Sequence, residues 1–412
     1  MKLVEQHIIK QNHPSYKRID EACFKSKNLY NAALYVVKQE FLKTGKWIRY
    51  TELEKKFKTE NQVDYKAISN HSSQQTLMLL DKDFKSYFES IKKWKTNKTG
   101  FNGKPKFPKY KHKTEGRNVL IYTYCQFGYK NGYITFPKKE GITPLKTNIP
   151  REQIKQVRFI PKSEYYVAEV VYETSVIQPK ENNGKYLSID IGVNNLATCI
   201  STETKPFIIN GRPLKSINQF YNKKLSKLKS NLEKCHRRKT SKKIRKLTLK
   251  RNNKVKDYLH KASKNIVSKC VEHDINTIIV GYNSGWKQEV NLGKKTNQNF
   301  VNIPFEPFIN QLRYKSERQG LRLVDFNESH TSKCSSLDLE EVGHHDVYVG
   351  KRVNRGLFRT SKGILLNADV NAAFNILRKA SGDSVFQTAS IGFGCNPIKL
   401  LLTNKFPKLC HN

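Results

Sequence analysis

The spacing of apolar positions changes repeatedly along the chain, and each change marks a new kind of element. The first dozen residues read as an extended strand. From about Ser15 to Trp94, IDEACFKSKNLYNAALYVVKQEFL and QQTLMLLDKDFKSYFESIKKW place apolar residues three and four apart, which predicts a helical bundle with Lys-rich outer faces. Gly and Pro stop the helices in KTNKTGFNGKPKFPKYKHK. Between Arg117 and Glu173 the pattern becomes alternation, in VLIYTY, YITF, IKQVRFIP and YYVAEVVYE. These segments predict strands of a small β-barrel or sandwich. The N-terminal strand would complete it and make the helices an insertion into a β-domain.

After the linker VIQPKENNGK, the segments YLSIDIGVNNLATCIS and KPFIINGR supply three short β-runs. Tyr221, Leu225, Leu228 and Leu232, then Ile244, Leu247, Val255, Leu259 and Ile266, are spaced as two amphipathic helices around the basic turn HRRKTSKK. A strand (NTIIVG), a helix from about Pro304 to Gln319 stopped by Gly320, a strand (LRLVDFN), a polar stretch and a helix (NADVNAAFNILRKA) follow. Three strands, helices, strand, helix, strand, helix is the order of a ribonuclease-H-like α/β domain. The tail from Gly382 onward carries no readable function.

Charge narrows the partners. The chain of 412 residues holds 76 Lys+Arg against 35 Asp+Glu, a formal +41, and a surface so basic calls for a polyanion. No apolar run approaches the roughly 18 residues of a membrane span, and the start MKLVEQHIIKQNHPSY lacks the apolar core of an export signal. DNA or RNA inside the cell, in the cytoplasm at the nucleoid, is therefore the expected partner, with no membrane role. Residues 222–269 hold 19 Lys/Arg and two acids, Glu233 and Asp257, so the hairpin reads as phosphate-tracking rather than as an ordinary solvated face. Lys104 and Lys106, alternating with rings in KPKFPKY, suit backbone contact with stacking on bases. The cysteines form no C-x-x-C pair and read as reduced, mostly buried residues.

Two acids stand where acids are costly. Asp190 lies within the apolar strand YLSIDIGVNN, where a carboxylate must be paired, hydrogen-bonded or bound to a cation, unless it merely starts a turn with Gly192. Asp369 lies in the first turn of a helix, where the helix dipole alone would favour an anion.

IDIGVNNLAT followed far downstream by NADVNAAFNIL resembles the first and third RuvC motifs of the TnpB family, transposon-encoded RNA-guided nucleases related to type V CRISPR effectors and to Fanzor proteins. The resemblance implies an α/β RuvC (ribonuclease-H-like) nuclease domain plus an N-terminal small β-barrel with an inserted α-helical bundle. The expected boundaries are 1–14 and 98–178 for the barrel, 15–97 for the helical insertion and 179–412 for the nuclease. Within the last lie the basic hairpin 212–270 and a degenerate zinc-finger-like loop at 329–366. The implied activity is cleavage of double-stranded DNA matched to a guide RNA, with three carboxylates holding two Mg²⁺ ions. Asp190 and Asp369 match the first and third carboxylates.

The second acid should end the strand TIIV, where this chain has Gly281. Either the chain is a nuclease-inactive RNA-guided DNA-binding repressor, or the acid has moved to Glu328, just past the next strand. That strand should run parallel to its neighbour about 4.8 Å away, within reach of a glutamate. Asp190, Glu328 and Asp369 are the expected catalytic and metal-binding set, with Asp325 and Glu289 as weaker substitutes for Glu328. The loop offers only Cys334 with His330, His344 and His345, so no structural Zn²⁺ is expected. Phosphate contacts are expected from Arg237, Arg238, Lys242, Lys243 and Arg245 in the hairpin, and from Lys351, Arg352 and Arg355 in GKRVNRGLFR. A third class, a general RNA-binding or assembly protein with merely structural acids, remains open on these residues.

Overall fold

The computed structural model describes residues 1–236, 240–282, 298, 302–354, 356–386, 396–400 and 402. The chain divides into two compact units, Met1–Ser175 and Val176–Asn412.

In the first unit, strand β1 (Lys2–Lys10) is followed by helices α1 (Tyr16–Thr44), α2 (Tyr50–Thr59), α3 (Val63–Lys66) and α4 (Asn70–Thr96). Gly45 ends α1 in the left-handed conformation, its N–H donating to Phe41 O, a geometry that favours glycine. The helices bury Leu29, Leu34, Leu53, Phe57, Leu77 and Phe84 among themselves. Strands β2 (Leu120–Thr123), β3 (Gly128–Lys130), β4 (Tyr133–Thr135), β5 (Leu145–Lys146), β6 (Ile154–Pro161) and β7 (Tyr165–Glu173) come next. They form two antiparallel sheets, ordered β1-β7-β6-β2 and β3-β4-β5. β1 pairs with β7 from Lys2↔Glu173 to Lys10↔Tyr165, so α1 to α4 lie in sequence between two strands of one sheet.

The second unit opens with β8 (Tyr186–Asp190), β9 (Asn195–Ser201) and β10 (Phe207–Asn210), then the hairpin α5 (Arg212–His236) and α6 (Lys242–Glu272). Ser241 caps α6, its side chain accepting from Ile244 N. Next are β11 (Thr277–Gly281), α7 (Phe305–Glu317) and β12 (Arg322–Phe326). A hairpin with one further strand follows, β13 (Lys351–Asn354), β14 (Leu357–Arg359) and β15 (Leu365–Asn367), then α8 (Ala368–Ser381) and β16 (Ile398–Leu400). The main sheet is ordered β12-β11-β8-β9-β10-β16. β12, β11 and β8 are parallel, and β8, β9 and β10 antiparallel. β16 falls in the tail that showed no function in the sequence, and it adds a parallel edge strand to β10.

Strand alternation sends side chains to two cores. Leu187, Ile189, Ile278 and Val280 meet Val255, Leu259, Ile266, Phe308 and Leu312 of α6 and α7. On the other face Ile200 and Ile279 meet Val370, Phe374, Ile376 and Leu377 of α8. Ser188 shares that second face, and its hydroxyl donates to Ala373 O at 2.8 Å, a close approach that a small side chain permits. Cys23, Cys199, Cys270 and Cys334 are buried free thiols. Among the described residues no helix is long and apolar enough to cross a membrane.

Phe374 is fully buried between α8 and the sheet. Phe374→Ala is expected to destabilise the second unit by about 3–5 kcal/mol, read as a lower denaturant midpoint for loss of its helical signal.

Candidate active site

The parallel register sets the site out in a row. Val280 lies opposite Ile189 in β8, and Gly281 lies opposite Phe326 in β12; one step on, Gly281 stands beside Asp190, the last residue of β8. Asp190 shares its face with Ser188, the face that α8 covers. α8 brings Asp369 in its first turn, where the Asn367 side chain caps the helix by accepting from the Asp369 and Val370 amides. Glu328 follows β12 by two residues and keeps the facing of Phe326, which packs with the α8 core.

Glu328 fills the gap left at Gly281. A Cβ placed on Gly281 would lie 3.1 Å from Glu328 Oε2, 3.3 Å from Glu328 Cβ and 2.5 Å from Ile376 Cδ1. The glutamate occupies space that a side chain at 281 would need. Asp325 is turned elsewhere and pairs with Arg313 at 2.7 Å, and Glu289 lies outside the described residues.

Asp190 feels both of the other carboxyls. Burial, then the charges of Asp369 and Glu328, raise the Asp190 carboxyl well above the ordinary range, with Arg352 opposing. Burial pushes Glu328 up to about 7. Arg352 Nη2 stands 3.6 Å from Asp369 Oδ1, and Asn195 Nδ2 donates to Asp369 Oδ2 at 2.7 Å. The sequence reading missed Asn195; its place in the turn GVNN, directly after the strand that ends in Asp190, was the available signal. Gly192 permits that turn, because a Cβ there would lie 2.8 Å from Asn195 O.

All three acids offer hard oxygen donors, and crowded carboxylates short of positive charge are what a divalent cation stabilises. In residue type and charge the set fits Mg²⁺. Among the described residues no three His, Cys, Asp or Glu side chains are grouped closely enough to hold an ion as they stand, so binding requires side-chain adjustment.

The finger-like loop is held by hydrogen bonds to α8. Asn371 Oδ1 accepts from the Ser336 amide and hydroxyl, and Asn371 Nδ2 donates to Cys334 O. Asn375 Nδ2 donates to Thr331 O and Cys334 O, and Arg378 Nη1 to Glu340 O. The Glu340 carboxylate accepts from the Ser335 and Val349 amides. Cys334 Sγ lies 3.5 Å from Gly343 O, the His330 and His344 rings are 5.8 Å apart, and His345 Nε2 meets Glu341 O at 2.7 Å.

Of the expected phosphate contacts, Lys242, Lys243, Lys351, Lys104 and Lys106 are exposed and Arg245 is half-buried. Arg237, Arg238 and Arg355 lie outside the described residues. One expectation needs correction: the Phe107 ring of KPKFPKY is not free to stack on bases. It packs 4.5 Å from Tyr87 and within 6 Å of Phe41 and Phe84, anchoring the segment to the helices because burial of an aromatic ring outweighs its exposure. Lys104 instead lies over Trp94 at 5.8 Å.

Comparison with known proteins bears on these segments. Residues 169–287 match the family OrfB_IS605, described as "Probable transposase", and residues 305–376 match the Cas12f1-like TNB domain. The chain is similar to the TnpB-like protein ORF457 of Acidianus two-tailed virus, 23% identical over 230 residues, covering 54% of this chain and 47% of that protein. It is also similar to the CRISPR-associated endodeoxyribonuclease Cas12f2 of a Micrarchaeota archaeon, 29% identical over 231 residues, covering 53% of this chain and 41% of that protein. The matched segments thus span less than half the length of these curated relatives. Among solved structures, the Cas12f1–sgRNA–target DNA complex aligns at TM-score 0.36 and 16% identity, covering 91% of this chain and 98% of that one. The mini-RNA-guided endonuclease CRISPR-Cas_phi3 aligns at TM-score 0.46 and 10% identity, covering 96% and 93%.

Two outcomes follow from the geometry. Gly281→Ala should cost about 1–3 kcal/mol by overpacking against Ile376 and Glu328, measurable by denaturant unfolding. In chelator, a carboxyl whose folded pKa is raised stabilises the fold below its ordinary 4.5 and loses that contribution as pH climbs through about 7. Stability should therefore fall on the order of 2 kcal/mol across that window from Glu328. Glu328→Gln should flatten the profile, and saturating Mg²⁺ should oppose the fall.

Proposed function

We propose that this chain, which belongs to the TnpB family, is an RNA-guided, metal-dependent DNA endonuclease encoded by a transposon and directed to DNA matched to a guide RNA. The observation that carries the reading is the Glu328 carboxylate standing in the space vacated at Gly281, in electrostatic reach of Asp190 beside Asp369. A decayed site has no reason to keep two acids and refill the place of the third.

In this reading the second unit is a RuvC-type, ribonuclease-H-like domain. The two sheets of the first unit are its small barrel, with α1 to α4 inserted. Asp190, Glu328 and Asp369 would hold Mg²⁺. When bound, the ion supplies positive charge at the scissile phosphodiester and makes a water more acidic. Asn195 holds one oxygen of Asp369 and so aims the other. Glu328, buried beside Gly281, would give an oxygen to the ion, whose charge offsets the cost of ionising a carboxyl there. Arg352, already drawn toward Asp369, adds a cation where a phosphate would lie. Lys242, Lys243 and Arg245 on the hairpin, with Lys351 on β13 and Lys104 and Lys106 in the first unit, neutralise guide and target backbones.

A second reading, an RNA-guided repressor that binds without cutting, draws on the missing side chain at Gly281 and on the unassembled ligand set. Purified protein with its co-purifying RNA separates the two. Matched plasmid should be cut in Mg²⁺ and not in chelator, and Glu328→Gln should slow cutting by about 100-fold or more while leaving target binding intact. Binding of matched plasmid without cutting by the native chain assigns the repressor. Absence of any discrete bound RNA defeats both.

A further inference from the structure

The segment KPKFPKYKHK, residues 104–113, lies along α1. Lys27 Nζ donates to Lys113 O at 2.6 Å. Asn31 Nδ2 donates to Lys111 O, and the Lys111 amide donates back to Asn31 Oδ1, each at 2.9 Å. Lys38 Nζ stands 4.7 Å from the centre of the Tyr110 ring, and Phe107 meets Phe41 at 5.5 Å. As the partner on α1 advances from 27 to 41, the partner in the segment falls back from 113 to 107, so the two run antiparallel. Residues 27 to 41 of a helix rise about 21 Å, and residues 107 to 113, if extended, cover about 20 Å. The segment is therefore stretched along the helix with no slack, a conformation that Pro105 and Pro108 favour.

Pinning one side presents the other. Lys104, Lys106, Lys109 and Tyr110 are exposed. Tyr35, 58% exposed, lies four residues after Asn31 and three before Lys38, on the same stripe of α1. Two exposed tyrosines thus attend one ammonium, Tyr110 in contact with it and Tyr35 a turn away. Among the described residues Lys38, Lys104, Lys106 and Lys109 form no ion pair. A single exposed ring is ordinary. Two rings about a cation, on a fixed support that also carries three lysines, suit unpaired bases stacking while phosphates meet the cations. A folded RNA supplies unpaired bases by itself, whereas duplex DNA offers none until it is opened.

We propose that Tyr35 and Tyr110, about Lys38, stack an unpaired base of an RNA held by this chain, with Lys104, Lys106 and Lys109 along the adjoining phosphates. The assignment rests on the reading of this chain as an RNA carrier, and it does not depend on cleavage.

Ultraviolet cross-linking of the purified protein with its co-purifying RNA, before any DNA is added, tests it, with adducts mapped by mass spectrometry. A ribonucleotide adduct is expected on Tyr35 or Tyr110. Adducts confined to other residues overturn the site and leave RNA binding standing. An adduct on these rings that forms only after matched DNA is added overturns the assignment to RNA. Affinity of the RNA-free protein for short oligouridine gives a second measure. Tyr35→Ala combined with Tyr110→Ala should raise Kd about tenfold, the order of one stacked base, with an unchanged salt slope, because stacking releases no counterions. Tyr35→Phe combined with Tyr110→Phe should keep the native Kd, and both proteins should keep the native unfolding midpoint. Equal affinity in the alanine protein, or a shallower salt slope, overturns the stack. Absence both of any bound RNA and of oligouridine binding defeats the wider reading too.

Discussion

The parallel register of β8, β11 and β12 is the constraint on which the candidate site depends. Hydrogen bonding holds such strands about 4.8 Å apart with their residues in line, so Asp190, Gly281 and Phe326 form a row at one edge. Side chains alternate, so Asp190 and Gly281 face α8 together with Ser188 and Ile279. A slip of one residue in β12 would turn Glu328 away from Asp190 and dissolve the set. The strands are short and their pairing is fully buried in β11, which makes such a slip costly.

α8 adds the third acid to that row. One side of the helix packs Val370, Phe374 and Leu377 on the sheet, and its first turn carries Asp369. Asn371, Asn375 and Arg378, four and then three residues apart, form a second stripe on the same helix. They satisfy carbonyls and amides of the loop between Thr331 and Glu340. Buried amide and guanidinium groups are costly unless paired, so the stripe ties the loop to the helix that bears the acid. The loop leads on to β13, and Arg352 there is the cation beside Asp369. The packing of one helix therefore sets both the acid and its counter-charge.

The charges of the second unit fall into two kinds. Exposed lysines along α6 and β13 stay solvated and demand little geometric precision, as phosphate contacts would. Asp190, Glu328 and Lys315 are different: each is buried enough for its proton affinity to move. Burial turns a charge from a solvated label into a group that needs a partner.

Much of this was legible in order. Apolar spacing marked the strands around Asp190, the two hairpin helices and the helix of Asp369, because a period of two or near 3.6 reports the face a residue will bury. Asp190 was visible because a carboxylate in an apolar strand demands an explanation, and Glu328 as an acid just past the end of the strand expected beside Gly281. The sequence could not show that Phe107 belongs to the helical core, that Asn195 holds Asp369, or that Ile398–Leu400 joins the sheet beside β10. Those contacts join residues far apart in the chain, and local periodicity carries no record of distant partners. Residue type and spacing determined which groups carry charge and which faces are buried. Only strand register and the crossing of α8 decided that Glu328 stands over Gly281, because convergence depends on where three separate segments end in space.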